Sequence, residues 1–198
     1  MSFDPHSVLL EGRAVRLEPM TLAHVPGLLA AACAPEIFKY LLIPPFTGLE
    51  DTGNSVKEAL AAKAAETEIP YVTVRRSDGR VVGSTRFIDI RRPHRGLEIG
   101  WTWITPEAQR TAINTEAKYL MLKQAFEGWG ALRVQLKTDA NNAKSRAAIL
   151  RIGATFEGVL RRHRGSYVPG EGARDSAMYS VIAEEWPAVE AGLLARLA

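Results

Sequence analysis

The chain is poor in everything that builds covalent or metal-bound frameworks. Cys33 is the only cysteine among 198 residues. An intrachain disulfide is therefore impossible, a thiolate metal site is not credible, and a reducing cytoplasm is the expected compartment. The histidines, His6, His24, His94 and His163, are scattered without ligand spacing, so no metal is expected. No run of about 18 or more apolar residues occurs, so no membrane partner is expected. The opening MSFDPHSVLLEGR has no basic segment followed by a long apolar run, and no secretory signal is expected. There is no internal repeat or low-complexity tract. The net charge of +3 is mild; it permits an anionic ligand without requiring nucleic acid. With 46% hydrophobic and 24% charged residues, the chain reads as one ordinary globular domain over residues 1–198, long enough for a real core.

One stretch organises what is there: Glu98 to Tyr119, EIGWTWITPEAQRTAINTEAKY. Ile99, Trp101, Thr102, Trp103 and Ile104 form a strand-like run. The run breaks at Pro106 and crosses a polar turn, Gln109-Arg110-Thr111. A helical pattern opens near Ile113, with Ala117, Leu120, Met121 and Ala125 on one face and Asn114 or Thr115 available as its cap. A strand delivering a polar turn into a helix N-terminus makes an anion site, because the first N–H groups of the helix lack internal partners and the dipole is positive there. Arg110 adds a full charge.

The remainder is read in chain order. Residues 14–19 alternate as a first strand, and Thr21 caps a helix to about Ala32. Pro35 to Gly48 is loop with a turn around Phe38–Leu42, and a second helix runs from Leu49 to Glu66. The period then changes to two: Pro70–Arg76 and Arg80–Ile90 are strands joined by the Ser77-Asp78-Gly79 hairpin turn. The segment Arg91 to Arg95 turns into the strand Gly96–Ile104, so three strands with short links form an antiparallel meander. The helix from Ile113 ends near Gly128 or Gly130. Arg133–Thr138 is a strand, Asn141 or Asn142 caps a helix to about Ile152, and Gly153 stops it. Strands at Thr155–His163 and Ala173–Ile182 flank a loop containing Gly170 and Gly172, and Glu184–Leu197 is a last helix. The pattern is an α/β layout with a mixed sheet. The link from Ile104 to Arg133 is long enough for a parallel crossover, beside which a phosphate-bearing ligand would sit.

The order of elements resembles the GNAT superfamily of N-acetyltransferases from Leu10 to about Glu185, and within it the ribosomal-protein-alanine N-acetyltransferase (RimJ/RimL-like) branch. Pro106-Glu-Ala-Gln-Arg-Thr-Ala-Ile-Asn114 stands where that family has a proline and then Q/R-x-x-G-x-G/A. Asn142-Ala-Lys-Ser145, followed by Gly153-Ala154, follows the branch's N-x-x-S pattern. Glu157 to Arg161 and Arg174 to Ser180 are similar to its last two strands. The resemblance implies a mixed, mostly antiparallel sheet flanked by helices, with a parallel pair splayed at the coenzyme site. It also implies acetyl-CoA as co-substrate and an amine acceptor, either a protein N-terminus or a small molecule; a homodimer is compatible with it. Residues implied to hold the coenzyme are Trp103, Ile104, Gln109, Arg110, Thr111, Ala112, Ile113, Asn114, Asn142 and Ser145. Ala112 and Asn114 replace the family's two glycines, which lack a Cβ and so let the backbone approach phosphate closely. The turn is read as an altered phosphate site.

The chemistry needs an unprotonated amine, fixed donors for an oxyanion, and a proton for the leaving thiol. The family's backbone donor maps to Trp101–Ile104. A thiol with a pKa near 8.5 needs little acid help. The tyrosine that many relatives use falls at Ile149, and Ser145 stands as the substitute hydroxyl or as a simple first-turn helix serine. Glu98 could activate the amine through water, or be a surface strand carboxylate. A glutamate of the branch aligns with Arg164; the adjacent His163 has a suitable ordinary pKa but belongs equally to a solvated basic run, LRRHR. Asp89 and Asp175 could meet a substrate ammonium or pair with arginines. Trp101 and Trp103 could wall an acceptor pocket or pack in the core. The Arg91-Arg92 and Arg161–Arg164 runs lack a stacking platform or a helix-turn-helix, so nucleic acid is not expected; a coenzyme phosphate or an acidic protein acceptor fits them better. The alternative class is a non-catalytic interaction protein on the same fold.

Overall fold

The computed structural model describes residues 3–165 and 172–198. The loop expected around Gly170 lies outside the described residues. Eight strands form one sheet: β1 (Leu10–Glu11), β2 (Val15–Pro19), β3 (Ile69–Arg75), β4 (Val81–Arg91), β5 (Gly96–Ile104), β6 (Arg133–Asp139), β7 (Thr155–Arg164) and β8 (Arg174–Ile182). Their order is β1-β2-β3-β4-β5-β6-β8-β7. Every neighbouring pair is antiparallel except β5 and β6, which run parallel. The meander is therefore as the periodicity predicts, and the parallel crossover is as the length of the Ile104–Arg133 link predicts. The two-residue β1 has too few side chains to show a period, and it is found only by its pairing with β2.

Among the described residues, five α-helices cover the sheet: α1 (Val25–Ala31), α2 (Leu49–Ala64), α3 (Ala112–Lys123), α4 (Ala143–Arg151) and α5 (Trp186–Leu197). Pro35–Phe38 makes a 3₁₀ turn, slightly earlier than the Phe38–Leu42 turn expected. Alternation in β3 sends neighbouring residues to opposite faces. Tyr71 packs into the core beneath α3 and α5, with Phe87, Leu97, Met121, Leu122 and Leu193. Val72 and Val74 join the core under α1 and α2, with Leu28, Phe38, Val56 and Trp103. Each fully buried large apolar side chain contributes about 1.5–3 kcal/mol relative to exposure. Both faces are thus covered, which is why β3 is buried almost throughout.

Helix α3 also carries a buried carboxylate. Glu116 accepts from the backbone N–H groups of Arg13, Ala14 and Val15, at 2.7, 2.7 and 2.8 Å. It thereby ties the helix to the β1–β2 turn, a hundred residues away in sequence. Gly12 makes room for it, because a Cβ there would lie 2.3 Å from the Glu116 carboxyl carbon. The last turn of α3 widens into a π-helical segment, Gln124–Gly128, before β6 begins.

Candidate active site

The parallel ladder between β5 and β6 is short. Gly96, Leu97 and Glu98 pair with Arg133, Val134 and Gln135, and no further pair joins the two strands. Beyond Glu98 they diverge, and a cleft of about 1370 Å³ opens between them, lined by β5, β6, the turn before α3 and the start of α4.

On the far side of β5 the ladder is also interrupted. Ser84 pairs with Trp103 and Arg86 with Gly100, so Thr85 of β4 faces a bulge containing both Trp101 and Thr102. Trp101 has φ 52°, a left-handed conformation that a bulky residue adopts at a cost of about 1–3 kcal/mol. A bulge releases backbone groups from the ladder and re-aims them. Gly83 lets β4 approach this point, since a Cβ there would come within 2.2 Å of the Trp103 carbonyl oxygen.

At the mouth of the cleft, Arg110 takes the left-handed conformation, with φ 61°, and α3 begins at Ala112. Its cap is Thr111, whose hydroxyl accepts from Ile113 N–H at 3.3 Å and donates to Ala108 C=O at 2.7 Å. This corrects the expectation of a cap at Asn114 or Thr115. Ala112 and Asn114 are already helical residues, so neither position needs glycine's backbone freedom. Asn114 lines the cleft, Ala112 is exposed beside it, and Ile113 turns into the core, leaving only its backbone to a ligand. Asn142 caps α4 by accepting from Ser145 N–H at 3.0 Å. Lys144 donates to the side chain of Gln109, whose amide N–H donates to Ile104 C=O at 3.0 Å. Two helix N-termini and the cations Arg110 and Lys144 therefore face one space, a donor set suited to a polyphosphate.

Glu98 sits at the apex. Only 1% of it is exposed, which rules out a surface strand carboxylate. Its Oε2 accepts from Lys137 Nζ at 2.7 Å and from Gln135 Nε2 at 2.9 Å. Its Oε1 lies toward Gly100, where a Cβ would approach it to 3.1 Å.

Residues 14–155 match the family model described as the acetyltransferase (GNAT) domain. The chain belongs to the GNAT family. A solved GCN5-related N-acetyltransferase from Brucella melitensis is 29% identical, with TM-score 0.90 over 98% of this chain and 87% of that one. YdaF of Bacillus subtilis, provisionally a ribosomal N-acetyltransferase, is 35% identical over 109 residues, which are 55% of this chain and 57% of YdaF. Mycobacterium smegmatis RimJ, solved with CoA-disulfide, shares the fold at 21% identity, TM-score 0.79, over 92% of this chain and 88% of that one. These relatives agree with the RimJ/RimL-like resemblance.

The GNAT cleft brings together Glu98, Trp103, Ile104, Gln109, Arg110, Thr111, Asn114, Asn142 and Ser145. It does not bring His163 to its wall; that side chain is half-buried on β7, and only the adjacent Arg164 lines the cleft. Burial, then the charges of Lys137, Arg164 and Arg174, push the His163 pKa down, with a smaller opposing effect from Glu98. Ile149, at the family's tyrosine position, lines the cleft without a hydroxyl. Asp89 lies on the wall beside Arg91 at 3.5 Å, whereas Asp175 accepts from Arg162 N–H. Trp103 packs against Phe38 and Phe46, while Trp101 lies against the Arg86 guanidinium, 5.4 Å from its ring centroid. Arg92 is held by Glu66 at 3.3 Å.

Three site residues escaped the sequence reading. Lys137 was hidden as an ordinary strand lysine, although its spacing two residues beyond Gln135 puts both on the Glu98 side of β6. Arg174 donates to Tyr40 C=O at 2.9 Å and so fastens the loop before α2 to the cleft. Lys118 of α3 is buried on the cleft wall, hydrogen-bonded to Thr102 and Thr85. Among the described residues, no group of three or more His, Cys, Asp or Glu could hold a metal, and no helix is long and apolar enough to cross a membrane.

Proposed function

We propose that this GNAT domain, acting as a single unit over residues 1–198, transfers an acetyl group from acetyl-coenzyme A to a primary amine, with an α-amino or similarly weakly basic acceptor preferred over a lysine side chain. The carrying observation is one cleft in which two capped helix N-termini, a strained strand bulge and a buried carboxylate converge. The CoA-disulfide held by RimJ supports the choice of coenzyme. The turn Gln109–Asn114, with Arg110, would hold the pyrophosphate, and Asn142, Ser145, Trp103 and Ile104 would line the arm. Acetyl-coenzyme A supplies an activated thioester. The acceptor nitrogen forms the C–N bond, the C–S bond breaks, and the proton lost by nitrogen balances the one gained by sulfur. Backbone N–H groups freed at the bulge meet the oxyanion, where a fixed donor is worth roughly 3 kcal/mol. Ser145, on the cleft wall, would hydrogen-bond the leaving thiol.

Glu98, through its Oε1 and a water, takes the acceptor's proton. An α-amine with a pKa near 7.7–8.0 asks for about one pKa unit of help at pH 7, roughly 1.4 kcal/mol. A lysine near 10.4 asks for more than about three units. A carboxylate already engaged by Lys137 suits the first demand better than the second.

Calorimetry with acetyl-coenzyme A tests the binding reading. Micromolar affinity is expected, weakened by about 1–2 kcal/mol in Arg110→Ala through loss of a charge-assisted contact. No binding by the wild type would favour the non-catalytic interaction protein instead, and unchanged affinity in Arg110→Ala would move the phosphate site. Thiol release across a panel of amines and N-terminal peptides tests the acceptor. Glu98→Gln should lower kcat about 100-fold at neutral pH. If kcat stands in Glu98→Gln and falls in His163→Ala, Glu98 is not the base. A panel preference for ε-amines would also defeat the acceptor assignment.

A further inference from the structure

Lys118 takes no part in making or breaking the bonds of acetyl transfer, yet its placement is costly. It is only 6% exposed. Its ammonium donates to Thr102 Oγ1 at 2.7 Å and to Thr85 Oγ1 at 3.3 Å, and the two hydroxyls lie 2.8 Å apart. No carboxylate pairs with it among the described residues. The charged residues of the surrounding elements are engaged elsewhere. Arg86 of β4 is bound to Glu68, Glu98 of β5 to Lys137 of β6, and Glu116 of α3 to the β1–β2 turn. Met121 of α3 is uncharged and accepts from the Thr85 hydroxyl at 3.6 Å.

A buried cation without an anion is destabilising unless something supplies the missing charge. Lys118 and Thr102 both line the cleft, and Thr102 belongs to the bulge. Resting on the acetyltransferase reading, we propose that Lys118 is a positioning residue whose ammonium, acting through the Thr102 hydroxyl, is the counter-charge for the oxyanion formed when an amine attacks the thioester. Among the described residues, the Thr102 O–H now has only Thr85 Oγ1 at 2.8 Å and a long contact to Gly100 C=O at 3.5 Å as acceptors. Lys118, by donating to Thr102 Oγ1, strengthens that O–H as a donor once it turns to the acyl oxygen. The lysine neither forms nor breaks a covalent bond. As the C–N bond forms, negative charge gathers on oxygen; as the C–S bond breaks, it leaves with sulfur. Burial brings the Lys118 pKa down to about 7, with no charged group contributing. The charged form therefore fades on the alkaline side of neutrality, while a negative neighbour restores it.

The experiment uses the full chain with acetyl-coenzyme A and a weakly basic aromatic amine, which is itself unprotonated over the whole range. Lys118→Met should lower kcat about 100-fold and leave the coenzyme Kd and the acceptor KM within about threefold. Wild-type kcat should fall at alkaline pH. Lys118→Arg, whose charge does not titrate, should keep most of the turnover and lose that fall. Thr102→Val keeps the lysine and removes the hydroxyl, so it should reproduce the loss of kcat even if the arginine does not fit. An unaltered kcat in Lys118→Met or in Thr102→Val overturns the proposal. So does a loss of coenzyme binding that matches the loss of kcat. If the wild type binds acetyl-coenzyme A but releases thiol with no amine, the transferase reading fails too; if wild-type turnover stands and the variants match it, only the role of Lys118 fails.

Discussion

Lys118→Met is expected to make the protein more stable at pH 6, by up to several kcal/mol, because it removes a buried ammonium whose desolvation no carboxylate offsets. The sign follows from proton linkage. Burial lowers the folded-state pKa of Lys118 to about 7, whereas the unfolded chain keeps it near 10.4. Below pH 7 both states are charged, and the folded state bears the whole cost of the buried ammonium. Between about pH 7 and 10 the unfolded state holds more protons, so wild-type stability rises with pH. The advantage of methionine should therefore shrink between pH 6 and pH 9, as read by urea unfolding at both values. An equal loss of stability at both pH values would make Lys118 a packing residue held by its two hydroxyl bonds. A gain in stability with a loss of turnover would be the usual exchange at a functional site.

Glu116→Ala is expected to act in the opposite direction, costing about 3–5 kcal/mol. The carboxylate is the acceptor for three backbone N–H groups, and a buried donor left unmade costs about 1–3 kcal/mol. The three costs do not add fully, because the β1–β2 turn can relax toward water. Glu116→Gln retains one acceptor oxygen and should fall between wild type and alanine. The urea midpoint of each variant reads the effect; a loss below 1 kcal/mol in Glu116→Ala would mean that the turn is rehydrated without strain. Coenzyme affinity is a useful companion measurement, because Glu116 lies one turn beyond the Thr111 cap.

The sheet was legible because period two persists through β3, β4 and β5, and because Pro106 and the turn after it punctuate the passage into α3. Glu98, Asn142 and Ser145 were legible through local pattern and family likeness. The Thr111 cap was not, since Gln109-Arg110-Thr111 reads equally well as a turn that finishes before the helix. Lys118 and Glu116 failed for a different reason. Flanking Ala117 in the string Thr115-Glu-Ala-Lys-Tyr119, they look like the solvated edges of an amphipathic helix. Their burial depends on partners in β2, β4 and β5 that only the folded sheet brings near. One signal was present: Glu116 stands three residues after Ile113 and within the apolar stripe of α3, where a carboxylate must find donors. The masked cost at Lys118 has no such signature in the sequence.

The three-residue ladder between β5 and β6 has a mechanical consequence. It makes the eight-stranded sheet two plates joined at one end, with Glu98 beside the joint and the Gln109–Asn114 turn at the free end. From Glu98 to Ile104 a strand extends about 20 Å at about 3.3 Å per residue. Rotating one plate by about 5° would displace the free end by roughly 2 Å on that lever, while the last paired residues barely move. A change of width at the mouth would therefore leave Glu98, beside the joint, nearly in place. The same geometry assigns different tolerances to the two ends: substitutions along the mouth alter fit, and substitutions at Gly96, Leu97 or Glu98 alter the angle from which everything else is measured.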